Sequence, residues 1–415
     1  MENLAIFGGE KAKTTPWGTG MRFGDAELQQ VKEALEQNTL FYFSGTKVKA
    51  MCDKFKDMYG AKYCVATSSG TAAIHVALGA AGVTEGDEVI VAPMTDMGSM
   101  IGILFQNAIP VFADLDPNTY VMTAESIEKV ITPKTKAVIV VHLAGNCAEM
   151  DEIMAVAKKY HIKVIEDCAQ AYETFYKGRK VGTFGDFGCF SLNDYKHISA
   201  GDGGMVLTND ETGYYTAAKF ADKNYDRWHT RNVHDGQIDF IAPNYRMNEL
   251  TGAVGLAQLD RLEWICSRRW ELGQRLTKGI QDLPGIMPPE VKPDNKSSYW
   301  FYMFRVDEEV CGVSRNDFCD ALIAEGIPTG RGYGLFCAYD YNFFQNKSAY
   351  QGTHAPFDSK YYGGNVTYSK ENCPGAELIL KSAISFNIKE FHTEQDIDEM
   401  IHAIRKVHAY YQSKK

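Results

Sequence analysis

The sequence predicts an α/β protein, a mainly parallel sheet covered by helices on both faces and followed by a smaller α+β unit. From about residue 60 to 210, short apolar β-branched runs alternate with helical patterns. That βαβα rhythm is the pattern of a parallel sheet. Later the rhythm stops, and Pro284, Pro288, Pro289 and Pro293 punctuate the chain. At 415 residues the chain exceeds one simple core. Two domains are therefore expected, an N-terminal arm with a large domain over 1–265 and a small C-terminal domain over 266–415.

Tyr63–Thr67 reads as a buried strand that leads through Ser68-Ser69-Gly70-Thr71 into a helix containing Ala72, Ala73, Ile74 and Leu78. The strand signal repeats at Glu88–Ala92, Pro110–Ala113, Ala137–Val141 and Ile162–Ile165. Between these runs, Met97–Gln106, Thr123–Val130 and Met150–Tyr160 have helical patterns. A long helical region is expected from Asn248 to Leu276, with Leu250, Val254, Leu256, Leu259 and Leu262 as its apolar positions. In the second unit, Tyr299–Val306 reads as a strand and Ser314–Gly326 as a serine-capped helix ending at glycine. Thr393 opens the last helix, with Asp396 at capping-box spacing.

Hydrophobic content of 45% and charged content of 23% are ordinary for a soluble enzyme. A net charge of −10 argues against nucleic acid as the main partner. No run approaches the roughly 20 apolar residues of a membrane span, and the first residues lack the basic-then-apolar pattern of a secretory leader. None of the ten cysteines forms a Cys-x-x-Cys pair or a zinc-type Cys/His cluster. Cys64, Cys168 and Cys189 lie in core-like runs. Reduced structural thiols, no metal and a cytoplasmic location are expected.

Single residues here carry little. Ser68–Thr71 can cradle a phosphate at a helix N-terminus or simply cap that helix. Asp167, closing the run Val164-Ile165-Glu166-Asp167, can be catalytic or a paired structural acid. Lys196 alone reads as a surface charge and Ser191 as a strand hydroxyl. The joint order is more informative: a Ser/Thr/Gly cradle, a strand-end acid, Phe190-Ser191, Lys196, then Gly201-Asp202-Gly203-Gly204. A buried amine with a distant carboxylate is what a pyridoxal phosphate site needs, so the order points to a fold-type I enzyme of that cofactor. No Walker sequence and no G-x-G-x-x-G fingerprint follows the first strand. His142 can line the pocket or sit in the core, His197 adjoins the lysine, and Phe41-Tyr42-Phe43 can wall a site or fill a core.

Nearly the whole chain resembles the DegT/StrS-type sugar aminotransferase family, which includes sugar-nucleotide, aminocyclitol and 3-amino-5-hydroxybenzoate enzymes. The resemblance rests on Ser69-Gly70-Thr71, Glu166-Asp167-Cys168-Ala169-Gln170-Ala171, Gly185-Asp186, Phe190-Ser191-Leu192, Lys196, Gly201-Asp202-Gly203-Gly204 and Asn244-Tyr245-Arg246-Met247-Asn248-Glu249. It implies that Lys196 holds pyridoxal 5'-phosphate as a Schiff base and that Asp167 pairs with the ring nitrogen. It places Gln170 on the ring hydroxyl and Ala169 on one ring face. Ser69, Gly70, Thr71 and Ser191 hold the phosphate, and Asn244 reaches it from the second subunit of a homodimer with shared sites. Asn244 can also order its own turn.

Two positions depart from the family pattern. Asp96 stands where an aromatic usually stacks on the cofactor, leaving that role to Met94, Met97 or another aromatic. Trp300 replaces the usual histidine ahead of Tyr302 and Arg305. The resemblance implies amino transfer from glutamate or glutamine to a keto-sugar, nucleotide-linked or not, or to a keto-cyclitol. The alternatives are a dehydratase or aromatising lyase using the same cofactor on a related ring, and a sensor that keeps the fold without turnover.

Overall fold

The computed structural model describes residues 2–230, 232–233 and 236–415. Strands form where apolar β-branched runs were expected: β1 (Tyr63–Thr67), β2 (Glu88–Val91), β3 (Ile109–Phe112), β4 (Thr135–Val141) and β5 (Lys163–Asp167). A short hairpin, β6 (Phe175–Tyr176) and β7 (Arg179–Lys180), precedes β8 (Phe187–Ser191) and β9 (Gly204–Thr208). The small unit contributes β10 (Ile286–Met287), β11 (Tyr302–Val306) and β12 (Ala383–Phe386).

The main sheet has seven strands in the order β1-β9-β8-β5-β4-β2-β3. Neighbours from β8 to β3 run parallel, while β9 is antiparallel to both β1 and β8. Every residue of β2, β8 and β9 is buried, as helices on both faces require. The parallel order brings Asp167 level with Cys189 on the neighbouring strand. Asp167 and Ser191 therefore emerge at the same carboxyl edge of the sheet, where chemistry collects in such folds.

Two apolar cores form. The first covers the main sheet and includes Val138, Ile139, Ile165, Phe190 and Val206. The second surrounds antiparallel β10–β11–β12 and includes Leu276, Phe304, Ile384 and Ile404 together with Leu4 and Ala12 from the chain start. Residues 338–376 return to the first core. The Ala338 amide donates to the Pro93 carbonyl at 2.7 Å, and the rings of Tyr339, Phe344 and Tyr368 pack on Phe112.

Two elements differ from the sequence reading. The helical region expected over Asn248–Leu276 is broken into Glu249–Gln258 and Leu262–Ile280, joined by a 3-10 turn at Leu259–Arg261. The second helix can then leave the first core, which holds Leu262, Ile265 and Cys266, and enter the second, which holds Leu272, Leu276 and Ile280. The strand expected from Tyr299 begins only at Tyr302. Tyr299 has φ of 42°, a left-handed conformation that no strand accommodates. The capped helices fold as expected. Ser314 accepts from the Asp317 amide, and Thr393 and Asp396 complete a capping box.

Within the main sheet, backbones approach closely at Gly188 of β8. A Cβ there would lie 2.1 Å from the Gly182 carbonyl oxygen, a clash with backbone that no rotamer relieves. Gly188→Ala should therefore destabilise the protein by about 1–3 kcal/mol, read as a lower denaturation midpoint in guanidinium chloride. An unchanged midpoint would contradict this packing.

Candidate active site

The site is built at the carboxyl edge of the main sheet. Asp167 ends β5 and is 6% exposed. Its Oδ2 accepts from the Ser99 hydroxyl at 2.6 Å and its Oδ1 from the Ala169 amide at 3.1 Å. Lys196 lies in the turn between β8 and β9, close enough that it and Asp167 each shift the other's proton affinity. Burial is the largest influence on both groups. It raises the Asp167 pKa against the opposing pull of Ser99, the Ala169 amide and Lys196. It lowers the Lys196 pKa, opposed by the carboxylates of Asp167 and Asp96. Desolvation disfavours whichever form carries charge.

Ser69 caps the helix Gly70–Ala80, its hydroxyl accepting from the Ala72 amide at 3.0 Å. The amides of Gly70 and Thr71 precede that capped donor and find no acceptor among the described residues. This helix start packs directly on the strand carrying Ser191. A Cβ at Gly70 would lie 2.6 Å from Ser191 Cβ, and one at Gly204 would lie 2.2 Å from the Ser69 carbonyl oxygen. Only glycines permit this closeness, which leaves a cradle of free amides and hydroxyls for an anion. The capping reading of Ser68–Thr71 holds at Ser69, and the cap leaves the Gly70 and Thr71 amides free.

Asp96 is exposed and turns back to accept from the Gly98 amide at 2.8 Å. Its carboxylate thus meets the first amide of the helix Gly98–Phe105 instead of offering a ring. The aromatic surface comes from the small unit. The Lys196 Nζ sits 4.0 Å from the centre of the Trp300 ring, and Trp300 Nε1–H donates to the Tyr195 carbonyl at 2.7 Å. Tyr333 stacks on Phe301 with ring centroids 5.5 Å apart. Gln170 joins the two sides: its Oε1 accepts from the Ala144 amide at 2.9 Å, and its Nε2 donates to the Tyr333 hydroxyl at 3.2 Å.

Lys196, Asp167, Ala169, Gln170, Ser69, Gly70, Thr71 and Ser191 thus gather around one sheet edge. Asn244 does not join them within the chain. It is exposed, and its Oδ1 accepts from the nearby Arg246 amide at 3.4 Å. His197 turns into the interior, where its Nε2 pairs with the Ser298 carbonyl at 3.2 Å and burial holds its pKa well below the usual value. His142 is fully buried. Its Nδ1 accepts from the Ala148 amide at 3.2 Å, leaving Nε2–H to donate to Glu166 at 3.1 Å. Glu166 also accepts from the amides of Gly182, Phe184 and Gly185. His142, Glu166 and Cys168 offer ligand atoms within 4.8 Å of one another, but these hydrogen bonds already occupy the histidine and carboxylate. The Phe41-Tyr42-Phe43 run packs around Trp228 and Arg227, and Tyr42 donates to Asp222 at 2.9 Å.

Sequence reasoning passed over Ser99 and gave Tyr333, in the Arg331–Cys337 segment, no defined role. Ser99 carries a local signal, a hydroxyl four residues after Thr95 with which it pairs at 2.7 Å. Tyr333 carries none, since only folding brings the small unit against Gln170.

A mainly parallel, helix-flanked sheet with lysine, strand-end carboxylate and anion cradle on one edge defines a fold-type I transferase, the architecture of pyridoxal phosphate enzymes. The chain belongs to the DegT/DnrJ/EryC1/StrS aminotransferase family, whose model matches residues 22–359, and it is an aminotransferase. It is 34% identical over 337 residues to a putative L-glutamine:3-amino-2,3-dideoxy-scyllo-inosose aminotransferase of Streptoalloteichus tenebrarius, covering 78% of each chain. GDP-perosamine synthase of Escherichia coli is 37% identical over 303 residues, 72% of this chain and 80% of that one. The solved aminotransferase from Psychrobacter cryohalolentis superposes with a TM-score of 0.82 at 29% identity, covering 96% of this chain and all of that one. Among the described residues no helix is long and apolar enough to cross a membrane.

Because burial raises the Asp167 pKa, the protonated acid is the form favoured by folding. Its contribution is present below the unfolded pKa of about 3.9 and lost as pH rises through the folded value. Asp167→Asn should therefore raise the melting temperature of the cofactor-free protein near neutral pH. That gain should fade as the pH is lowered below about 4, and equal melting temperatures at neutral pH would contradict it.

Proposed function

We propose that this aminotransferase moves an amino group from glutamate or glutamine to the ketone of a sugar, nucleotide-linked or free, or of a cyclitol, using pyridoxal 5'-phosphate. The carrying observation is the desolvated Lys196 amine set beside buried Asp167 and the Gly70–Ser191 cradle. These residues suit the cofactor. Asp167 is a buried carboxylate in want of a cation, as the protonated ring nitrogen would be. The free Gly70 and Thr71 amides, with the Ser69 and Ser191 hydroxyls, suit a phosphate. Gln170 retains donor capacity for the ring hydroxyl beyond its bond to Tyr333, and Ala169 offers a small apolar contact beside it. The relatives' names support the substrate class, one specifying glutamine and a scyllo-inosose, another GDP-perosamine.

When bound, pyridoxal phosphate supplies a carbonyl that condenses with amines and a ring that takes up the electron pair left at the donor Cα. The protein supplies the rest. Burial leaves more of Lys196 as neutral amine, the form that attacks a carbonyl and accepts the Cα proton at Nζ. Ser99 and the Ala169 amide oppose the effect of burial on Asp167 and hold the carboxylate where it would pair with the ring nitrogen. Trp300, over the Lys196 amine, and Tyr333, bonded to Gln170, would close the small-unit side against water. The acceptor half-reaction reverses these proton movements.

The reading includes a homodimer in which the partner subunit's Asn244 approaches the phosphate. The exposed Asn244 side chain supports it. So does the anchoring of its neighbour Tyr245, whose carbonyl accepts from the Ser68 amide at 2.7 Å.

Lys196→Ala should lower amino transfer between glutamate or glutamine and keto-sugars by about 10²–10⁴-fold or more. Borohydride treatment with pyridoxal phosphate should label the wild-type chain at Lys196 and leave the variant unlabelled, as read by peptide mass spectrometry. Normal transfer by Lys196→Ala would end this assignment.

A further inference from the structure

We propose that Arg22 is a positioning residue for Lys196, gripping the turn that carries the lysine and tying it, through the N-terminal arm, to the small unit. The inference rests on Lys196 being the reactive amine of the proposed function.

The turn between β8 and β9 is bonded within itself by Asn193, Asp194 and Ser199 side chains, and Trp300 holds the Tyr195 carbonyl, but none of these bonds reaches the Lys196 carbonyl. The Lys196 amide donates to the Asn193 carbonyl at 2.9 Å and the Ala200 amide to the Leu192 carbonyl at 3.0 Å. Arg22 supplies the outer grip. Its Nη2 donates to the Lys196 carbonyl at 2.7 Å, and its Nη1 donates to the Asp194 carbonyl. The Asp194 carboxylate lies 3.8 Å from the same Nη1. A planar guanidinium bridging two carbonyls two residues apart sets their relative orientation, which a flexible ammonium cannot do. The lysine side chain is long, so the direction of its root decides where Nζ arrives.

Arg22 is itself fixed from behind. Its carbonyl accepts from Gln258 Nε2 at 2.8 Å and from Arg261 Nη1, and the Met21 carbonyl accepts from Arg261 Nη2 at 2.9 Å. Gln258 is 1% exposed. Its Nε2 also donates to Glu27 at 2.7 Å, and its Oε1 accepts from the Ser199 amide at 3.3 Å. One buried amide therefore touches both the arm and the far end of the lysine turn.

The other end of the arm is sewn into the small unit. Glu325 accepts from the amides of Ala5 and Ala12 at 2.9 and 2.8 Å. Lys13 pairs with Asp396 at 2.8 Å and Glu399 at 2.6 Å, and the Gly18 amide donates to Asp396 at 3.0 Å. Only three residues separate Gly18 from Arg22, a reach of at most about 14 Å. A displacement of the helix Glu394–Gln412 against the sheet would therefore be felt at the lysine turn.

The test reads the lysine in the full-length protein without cofactor. Wild type, Arg22→Ala and Arg22→Lys are treated with acetic anhydride across a pH series. Lys196 acetylation and amide hydrogen exchange over residues 193–200 are followed by mass spectrometry. In Arg22→Ala, exchange in the turn should rise about fivefold or more, as loss of roughly 1 kcal/mol of local hydrogen bonding implies. The Lys196 labelling midpoint should move to higher pH, because an amine released from its desolvated seat regains proton affinity. Arg22→Lys, able to grip one carbonyl, should fall between. Wild-type exchange and an unchanged midpoint in Arg22→Ala overturn the proposal. Should that variant fail to fold, wild-type values of both readouts in Arg22→Lys overturn it equally. Normal transfer by Lys196→Ala would remove the proposed function while leaving the Arg22 exchange signature intact, so the two failures are distinguishable.

Discussion

Asp167 and Lys196 are both withdrawn from water at one edge of the main sheet, and burial opposes the charge on each. Their mutual attraction and the hydrogen bonds of Ser99 and the Ala169 amide offset that opposition only in part for the acid, whose pKa stays raised. Much of the surrounding structure follows from holding such a pair in place. The parallel register of β5 and β8 sets the acid and the lysine strand side by side. The glycines at 70 and 204 let the cradle helix close on Ser191 and Ser69. A carboxylate buried at such a cost is characteristic of functional sites.

The amine is balanced differently. Desolvation favours its neutral form, while the nearby carboxylates and the Trp300 face favour the ammonium. Desolvation wins, since the pKa is lowered. Trp300 is placed by the backbone around it: the left-handed Tyr299 ends the extended run before β11, and the Trp300 amide donates to the Ala144 carbonyl at 3.0 Å. The same loop at Ala144 supplies the amide that orients Gln170. One short segment of the large unit thus fixes both Gln170 and the aromatic over the lysine.

The main sheet was legible because each strand is a short apolar run bounded by turn residues, and parallel strands buried on both faces read that way. Caps were legible for the same local reason, as at Ser314 and Thr393. Features that depend on where an element must travel were not. Nothing local marks the break at Leu259–Arg261, which exists because its two helices serve different cores. The delayed start of β11 reflects the tertiary demand on Trp300 overriding a strand-like composition. In the site, Lys196, Asp167 and the cradle were visible as an ordered set along the chain. Ser99 and Tyr333 were not, because their roles arise from contacts across 68 and 163 residues of sequence.

This division separates chemistry from recognition. The amine, the acid and the anion cradle all stand on the main sheet and its connections, whose backbone contacts leave little room for change at Gly70, Gly188 or Gly204. The walls come from elsewhere, Trp300 and Tyr333 from the small unit and Asp96 from a helix start. Tyr333 lies between Gly332 and Gly334, both with positive φ, in a segment held by the Ser385 hydroxyl on the Gly332 carbonyl at 2.8 Å. Such a segment can change its side chains without disturbing the sheet edge that carries Lys196 and Asp167. Residues that declare the reaction are therefore constrained by packing and appear in sequence as a recognisable order.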